Sequence, residues 1–406
     1  MKRILIVSDY AYAGGAEIIM QNIVSYLSEK CNEEGKLEYD ISIGTLYDEK
    51  ENIEKYYPPS VKYYDFSKIS VDPKYNNYKK LDPRRICAAI IRRVYKKKYL
   101  EYISSRNYDI VIAMKEGDVM ALLQDVEAKK KIGWIHVDFN YLHWTAGLYG
   151  SKEVELECMK KYDHIVCVSK ATRDSVCSIV GDPGNLVVRE NPIDVERILK
   201  LSKKEIEYKR NILKNRKKSA DIHDDVDKDI QDDKTILVSV GRLCEHKNYM
   251  PLLKSIFKAK SVVGDNFELW IIGDGEDRAR LEAYVEEYNL DNVKFLGSKD
   301  NPYPYIKKAD WFVTTTKGES YGLAVQEALI LGVPVLATRC MAFEECMSSS
   351  EAILVDNTED DIYAGIIKVL SDKSLHEEYK MSIEDRGHKE MYAERLKDIE
   401  MIIKEK

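Results

Sequence analysis

The stretch "GESYGLAVQEALILGVPVLAT", Gly318 to Thr338, holds two carboxylates, Glu319 and Glu327, around a Tyr-Gly-Leu turn. The apolar run behind them reads as a buried helix leading into a buried strand. Glu327 is flanked by Val325, Ala328, Leu329 and Ile330. Burying an unpaired carboxylate there is costly, so it needs a cation or the hydroxyls of a ligand, and a ligand is the favoured partner. The pattern predicts a helix starting near Tyr321. Free amides around Tyr321, Gly322 and Leu323 would then point at an anion, with Glu319 just ahead of them.

Two further stretches suit the same chemistry. In "VSVGRLCEHKNYMPLL" a strand ends at Gly241, and Arg242 and Lys247 stand on the connection to the next helix. Ligands of doubly wound sheets bind beyond the carboxyl ends of strands, where this pair of cations suits a diphosphate. A pair of solvated loop cations is the plain alternative. In "YAYAGGAEIIMQNIV", Gly14 and Gly15 open the first helix and let a ligand approach the backbone closely. This is neither G-x-G-x-x-G nor a P-loop, and taken alone a tight strand-to-helix turn explains it.

The elements that must position these residues follow from the hydrophobic pattern. Strands are expected at "RILIV", "YDISIGTL", "DIVIAM", "KIGWIHV" and "DHIVCVS", then at "TILVSVG", "FELWIIG", "NVKFLG", "DWFVTTT" and "VPVLAT". Helical patterns such as Ala16–Ser28, Tyr249–Val262 and Asp277–Tyr288 lie between them. Continuous apolar strands alternating with helices mean parallel sheets covered on both faces. The alternation occurs twice, so the fold class is α/β, with two Rossmann-like doubly wound domains facing across a cleft. The expected divisions are 1–192, a charged linker over 193–234, a second domain over 235–375, and C-terminal helices over 376–406 packing back toward the first domain.

Composition narrows the function. A chain of 406 residues, 44% apolar, can bury two cores. A net charge of −7 argues against nucleic acid as a partner. The eight cysteines form neither a C-x-x-C pair nor a cluster at zinc spacing, so free thiols in a reducing cytoplasm are expected. The apolar run after Lys2 and Arg3 is too short for a secretory signal, and no stretch approaches a membrane span, so a chain that neither crosses a membrane nor leaves by the usual signal is expected. The D-x-D patterns in "DIHDDVDKDIQDDK" follow no apolar strand and read as solvated linker, not as a metal site.

Taken together and in order, "GG" after the first strand, "GRLCEHKN" and Glu-x7-Glu resemble the retaining nucleotide-sugar glycosyltransferases of family four, whose architecture is called GT-B. "GWIHVD", "ENPID" and "NPYPYIKKAD" also fall in the family order. The resemblance implies that Arg242 and Lys247 hold the donor diphosphate and stabilise its departing charge. It implies that Glu327 binds the ribose hydroxyls and that Glu319 contacts the donor sugar near the reacting centre. The amides of Gly322 and Leu323 would face the distal phosphate, Gly14 and Gly15 would close on it, and His136 would hydrogen-bond the sugar. Backbone contacts to the base are expected near Gly273, Leu296 and Gly297. One departure stands out: family members often carry a Gly-Gly turn and a Glu after the "PVLAT" strand, and here that region reads "RCMAFEEC".

The implied reaction moves a sugar, from a UDP-sugar by preference, to an acceptor hydroxyl with retention. It needs neither cofactor nor metal, and no paired carboxylates for a double displacement are in view. The family often glycosylates glycan or lipid-linked acceptors in polysaccharide or glycolipid synthesis. The basic stretch Arg84–Lys98 suits an amphipathic helix on anionic lipid at the inner face of the membrane, or equally a solvated face of a packed helix. A soluble sugar or protein acceptor, and a GT-B-shaped scaffold without catalysis, are the competing readings.

Overall fold

The computed structural model describes residues 1–11, 14–47, 53–66, 83–206, 234–384 and 388–405, with the backbone alone at 54–55, 83–92 and 388–389. The first sheet contains Lys2–Ser8 (β1), Tyr39–Thr45 (β2), Lys62–Asp65 (β3), Ile110–Ala113 (β4), Lys130–Ile135 (β5), His164–Cys167 (β6) and Leu186–Val188 (β7). The second contains Thr235–Val240 (β8), Phe267–Ile272 (β9), Val293–Gly297 (β10), Trp311–Thr314 (β11), Val335–Thr338 (β12) and Ala352–Val355 (β13). Their orders are β3-β2-β1-β4-β5-β6-β7 and β10-β9-β8-β11-β12-β13, and every ladder in them is parallel.

Every strand expected from the sequence forms. Three more, β3, β7 and β13, are short edge strands. None of the β3 or β7 residues is fully buried, so neither strand required the apolar run by which inner strands betray themselves. Ile4, Leu5, Ile6 and Val7 of β1 are completely buried, as a central strand covered on both faces must be. The amphipathic helix Gly15–Ser28 covers the first sheet and Tyr249–Val263 the second, both close to the expected bounds.

Each sheet reverses its strand order at one place, between β1 and β4 and between β8 and β11. There the connections leave to opposite faces and open a crevice at the carboxyl ends. The loops after β1, β8 and β11 carry the Gly14–Gly15 turn, Lys247 and Glu319.

The expected linker begins with a helix, Val195–Leu201, whose Val195 and Ile198 are buried; residues 207–233, with most of the acidic D-x-D stretch, lie outside the described residues. The C-terminal helix His388–Lys404 returns to the first domain. Its Glu400 accepts hydrogen bonds from the hydroxyls of Tyr26 (3.0 Å) and Tyr39 (3.3 Å). Of the basic helix Pro83–Ser105, Arg93, Lys97 and Lys98 are exposed. Tyr99 packs edge-on against Phe66, and Lys96 Nζ donates to the Ala121 carbonyl at 3.3 Å. The side chains of Arg84, Arg85 and Arg92 lie outside the described ones.

Candidate active site

Lys247 closes the short 3-10 turn Glu245–Lys247, after which Asn248, at φ +56°, starts the helix Tyr249–Val263. Its ammonium is ion-paired with Glu319 Oε1, and both side chains are three-quarters or more buried. Backbone and hydroxyl bonds fix this pairing. Lys317 N–H donates to the His246 carbonyl at 2.9 Å, Thr315 Oγ1 to that of Asn248 at 3.0 Å, and Thr316 Oγ1 to that of Gly318 at 2.7 Å. The two loops thus meet as one unit at the β8/β11 reversal.

Arg242 stands apart from that pair. Its guanidinium is 72% exposed and hydrogen-bonds Glu276 Oε2 at 3.1 Å on the rim. An ion pair this exposed adds little to stability, so the guanidinium is free to exchange partners. Gly241, Gly273 and Gly297 lie at the adjoining carboxyl ends of β8, β9 and β10. A Cβ on Gly273 would stand 1.9 Å from the Gly241 carbonyl oxygen, and its φ of +146° also demands glycine. Gly273 N–H donates to the Gly297 carbonyl at 3.0 Å, and Leu296 is half-buried beside them.

The helix expected near Tyr321 begins two residues later, spanning Leu323–Ile330, because Gly322 takes the left-handed conformation at φ +75° and serves as its N-cap. A Cβ on Gly322 would come within 2.4 Å of the Phe343 ring. Leu323 reaches the other domain: its Cδ1 would be 3.2 Å from a Cβ on Gly15, the first residue of Gly15–Ser28. Two helix N-termini therefore converge across the cleft, and their free amides favour an anion there. Tyr321 does not line the cleft with its ring; it is buried, and its hydroxyl takes a hydrogen bond from Arg395.

Glu327 is buried, and burial pushes its carboxyl up to about 7. The sequence reading weighs a cation or a ligand as its partner; in the structure Oε1 also accepts a hydrogen bond from the Tyr303 hydroxyl at 3.1 Å, from the "NPYPYIKKAD" segment. Ile18, Asn22, Asp194, Arg197 and Leu323 line a crevice beside it, so both domains bound this carboxylate.

His136 follows β5 in the first domain. Its backbone N–H donates to Glu116 Oε2 at 2.9 Å, and among the described residues its ring Nε2 is buried without a partner. Burial, with the Lys115 charge nearby, pulls the imidazole down to about 3, so it is neutral at physiological pH. Lys115 Nζ lies 2.8 Å from Asp9 Oδ2 in the same wall. Tyr141, from the loop that follows, packs against Gly318, where a Cβ would meet its ring at 2.5 Å. The loop after β5 is thereby seated beside Glu319.

Several residues at this interface escaped the sequence reading. Glu345, in the divergent "RCMAFEEC" segment, accepts from the backbone N–H groups of Lys170 (2.9 Å) and Ala171 (3.2 Å), capping a first-domain helix from the second domain. Ser169 Oγ donates to the Ser320 carbonyl at 2.7 Å. Arg395 and Tyr392 grip the Tyr321 helix start from behind. Their one sequence signal is a Tyr and an Arg three apart in a charged C-terminal helix. Among the described residues no helix is long and apolar enough to cross a membrane, and no group of three His, Cys, Asp or Glu side chains is placed to hold a metal ion.

The family described as glycosyl transferases group 1 matches residues 222–386. The chain is 33% identical over 198 residues to the uncharacterized glycosyltransferase MJ1059 of Methanocaldococcus jannaschii, covering 43% of this chain and 48% of that protein. It is 27% identical over 165 residues to the lipopolysaccharide core biosynthesis glycosyltransferase LpsE of Rhizobium meliloti, covering 40% of this chain and 46% of that one. The chain thus spans about half the length of the curated relatives it matches. The crystal structure of Anabaena HepE in complex with UDP and glucose superposes with a TM-score of 0.70 at 14% identity, covering 99% of this chain and 98% of that one. The fold is that of the GT-B glycosyltransferases.

Proposed function

We propose, for a chain of GT-B fold whose residues 222–386 match the family described as glycosyl transferases group 1, that it moves a sugar from a nucleoside diphosphate donor to an acceptor hydroxyl, with retention and without a metal. One observation carries the reading: the Lys247–Glu319 pair lies at the β8/β11 reversal, next to two helix N-termini that converge from both domains. Positive charge, free amides and a carboxylate at one crevice suit a diphosphate that carries a sugar.

In this reading Lys247 leaves Glu319 for the donor diphosphate, and Glu319 is released to accept a sugar hydroxyl. Arg242 exchanges Glu276 for the same diphosphate. Gly322, Leu323, Gly14 and Gly15 present backbone to the distal phosphate, and Glu327 takes the ribose hydroxyls. The base rests against the backbone of Gly273, Leu296 and Gly297, and neutral His136 hydrogen-bonds the sugar. The bond from the anomeric carbon to the phosphate oxygen breaks while the acceptor oxygen bonds to the same face. The acceptor's proton passes to the departing phosphate oxygen. Lys247 and Arg242 stabilise the charge that develops there, the largest contribution asked of the protein.

The bound UDP in HepE and the lipopolysaccharide role of LpsE favour a UDP-sugar and a glycan or lipid-linked acceptor in surface polysaccharide or glycolipid synthesis. The exposed Arg93, Lys97 and Lys98 suit contact with an anionic inner membrane surface from the cytoplasm. Thermal shift against nucleoside diphosphates and their sugars tests the donor reading, and UDP is expected to raise the melting temperature by mass action. Hydrolysis of a UDP-sugar to product with the donor's anomeric configuration, in the presence of EDTA, tests retention and metal independence. A protein that neither binds nor hydrolyses any nucleotide sugar would be a scaffold.

A further inference from the structure

The buried guanidinium of Arg395 lies outside the machinery just described, yet it touches the segment that begins the phosphate-facing helix. Arg395 is 8% exposed, which for a cation demands partners on every side. It has them. One nitrogen, Nη2, is ion-paired with Glu190, which follows β7 in the first domain. The other, Nη1, donates to the hydroxyl of Tyr321, immediately before the Gly322 cap. The Tyr321 hydroxyl in turn lies 3.5 Å from the Asn191 carbonyl.

The same turn of helix grips a second point. Tyr392, three residues earlier, is completely buried, and its hydroxyl donates to Gln326 Oε1 inside the helix Leu323–Ile330. The Arg395 guanidinium stacks over the Tyr392 ring at 4.3 Å. Further along, Glu400 is held by Tyr26 and Tyr39, and Lys404 by Glu38 at 3.0 Å, all in the first domain. One rigid helix thus holds the first domain at one end and, at the other, both Tyr321 and Gln326 around the Gly322–Leu323 start. Arg395 adds a direct bond to each domain.

We infer that Arg395 is a positioning residue: by bridging Glu190 and Tyr321 it fixes the start of the Leu323–Ile330 helix, and hence its free amides, against the first domain, in the geometry that takes the donor's distal phosphate. The ligand assignment rests on the donor reading above; the positioning does not. A planar fork with two separated donors suits this task, since lysine cannot reach both partners with fixed geometry.

The experiment uses the full chain with Arg395→Met, Tyr321→Phe, the double variant and Tyr379→Ala. Tyr379 packs on Trp311 at 5.6 Å, away from the crevice, and its loss reports lowered stability alone. Amide hydrogen exchange without ligand is read at Leu323–Val325, and UDP affinity by calorimetry. Arg395→Met and Tyr321→Phe should each speed that exchange and weaken UDP binding about tenfold, the scale of one charge-assisted hydrogen bond. The double variant should be no weaker than Arg395→Met, because that change alone already removes the bond to Tyr321, and Tyr379→Ala should lower the melting temperature without moving either readout. Unchanged exchange in both single variants, or losses that multiply in the double variant, overturn the inference. Altered exchange in a protein that binds no UDP overturns the donor reading instead and leaves the positioning role standing.

Discussion

Lys247 and Glu319, 72 positions apart, form an ion pair that is three-quarters buried at the point where the second sheet reverses its strand order. Each holds the other in the crevice, so at the proposed donor site the cation is already largely desolvated and oriented. Lys247→Ala should lower kcat/KM for nucleotide-sugar hydrolysis about a hundredfold, the cost of removing one preorganised donor at a developing charge. Turnover within twofold of wild type would remove lysine from the diphosphate.

Arg242 separates binding from stability. Its pair with Glu276 is exposed on both sides, so Arg242→Ala should leave the melting temperature unchanged. UDP binding should nonetheless weaken if, as proposed, the guanidinium exchanges Glu276 for the donor diphosphate. A lower melting temperature with unaltered UDP affinity is the result that contradicts this.

Glu327 sets a pH dependence with a definite sign. Unfolded, its carboxyl ionises near 4.5; folded, burial moves that to about 7. Between these values the native state binds the extra proton, so this group's contribution to stability falls as pH rises from 4.5 to 7 and is level above. Relative to wild type, Glu327→Gln should therefore gain on the order of 3 kcal/mol between pH 4 and pH 8, read from urea midpoints. If Glu327 takes the ribose hydroxyls as proposed, the ratio of wild-type to Glu327→Gln UDP affinity should rise through pH 7 as the carboxylate forms, a comparison in which the ionisation of the terminal phosphate of UDP cancels.

Gly322 tests the backbone. With φ at +75° and Phe343 2.4 Å from a would-be Cβ, Gly322→Ala must strain the cap or displace the ring. A loss of roughly 1–3 kcal/mol is expected from thermal or chemical unfolding, together with weaker UDP binding. Gly332, also at positive φ but with open space at its Cβ, isolates the conformational cost when changed to Ala.

The inner strands were legible because a strand covered on both faces has to be continuously apolar, and "RILIV" or "FELWII" admits few other readings. The edge strands β3 and β7 were not, since half-buried edges tolerate polar residues. Lys247, Glu319 and Glu327 stood out in the sequence because cations and carboxylates beside apolar runs need a reason to be there, and the structure pairs the first two with each other. Their partners were not informative. Tyr303 on Glu327, Glu276 on Arg242, Glu345 on the Lys170 helix and Arg395 on Tyr321 are all contacts between distant segments.

By itself, then, the sequence determined the alternation of strand and helix, the two doubly wound halves, and the few polar residues that end strands. These follow from local periodicity and from the cost of burying charge. Only the tertiary structure decided which of those residues meet. Strand order brings β8 beside β11, so Lys247 reaches Glu319 while Arg242 turns to the rim. The C-terminal helix closes one domain on the other, turning Tyr321 away from the crevice and Leu323 toward Gly15. Such pairings depend on packing between segments far apart in the chain, and no local pattern encodes them.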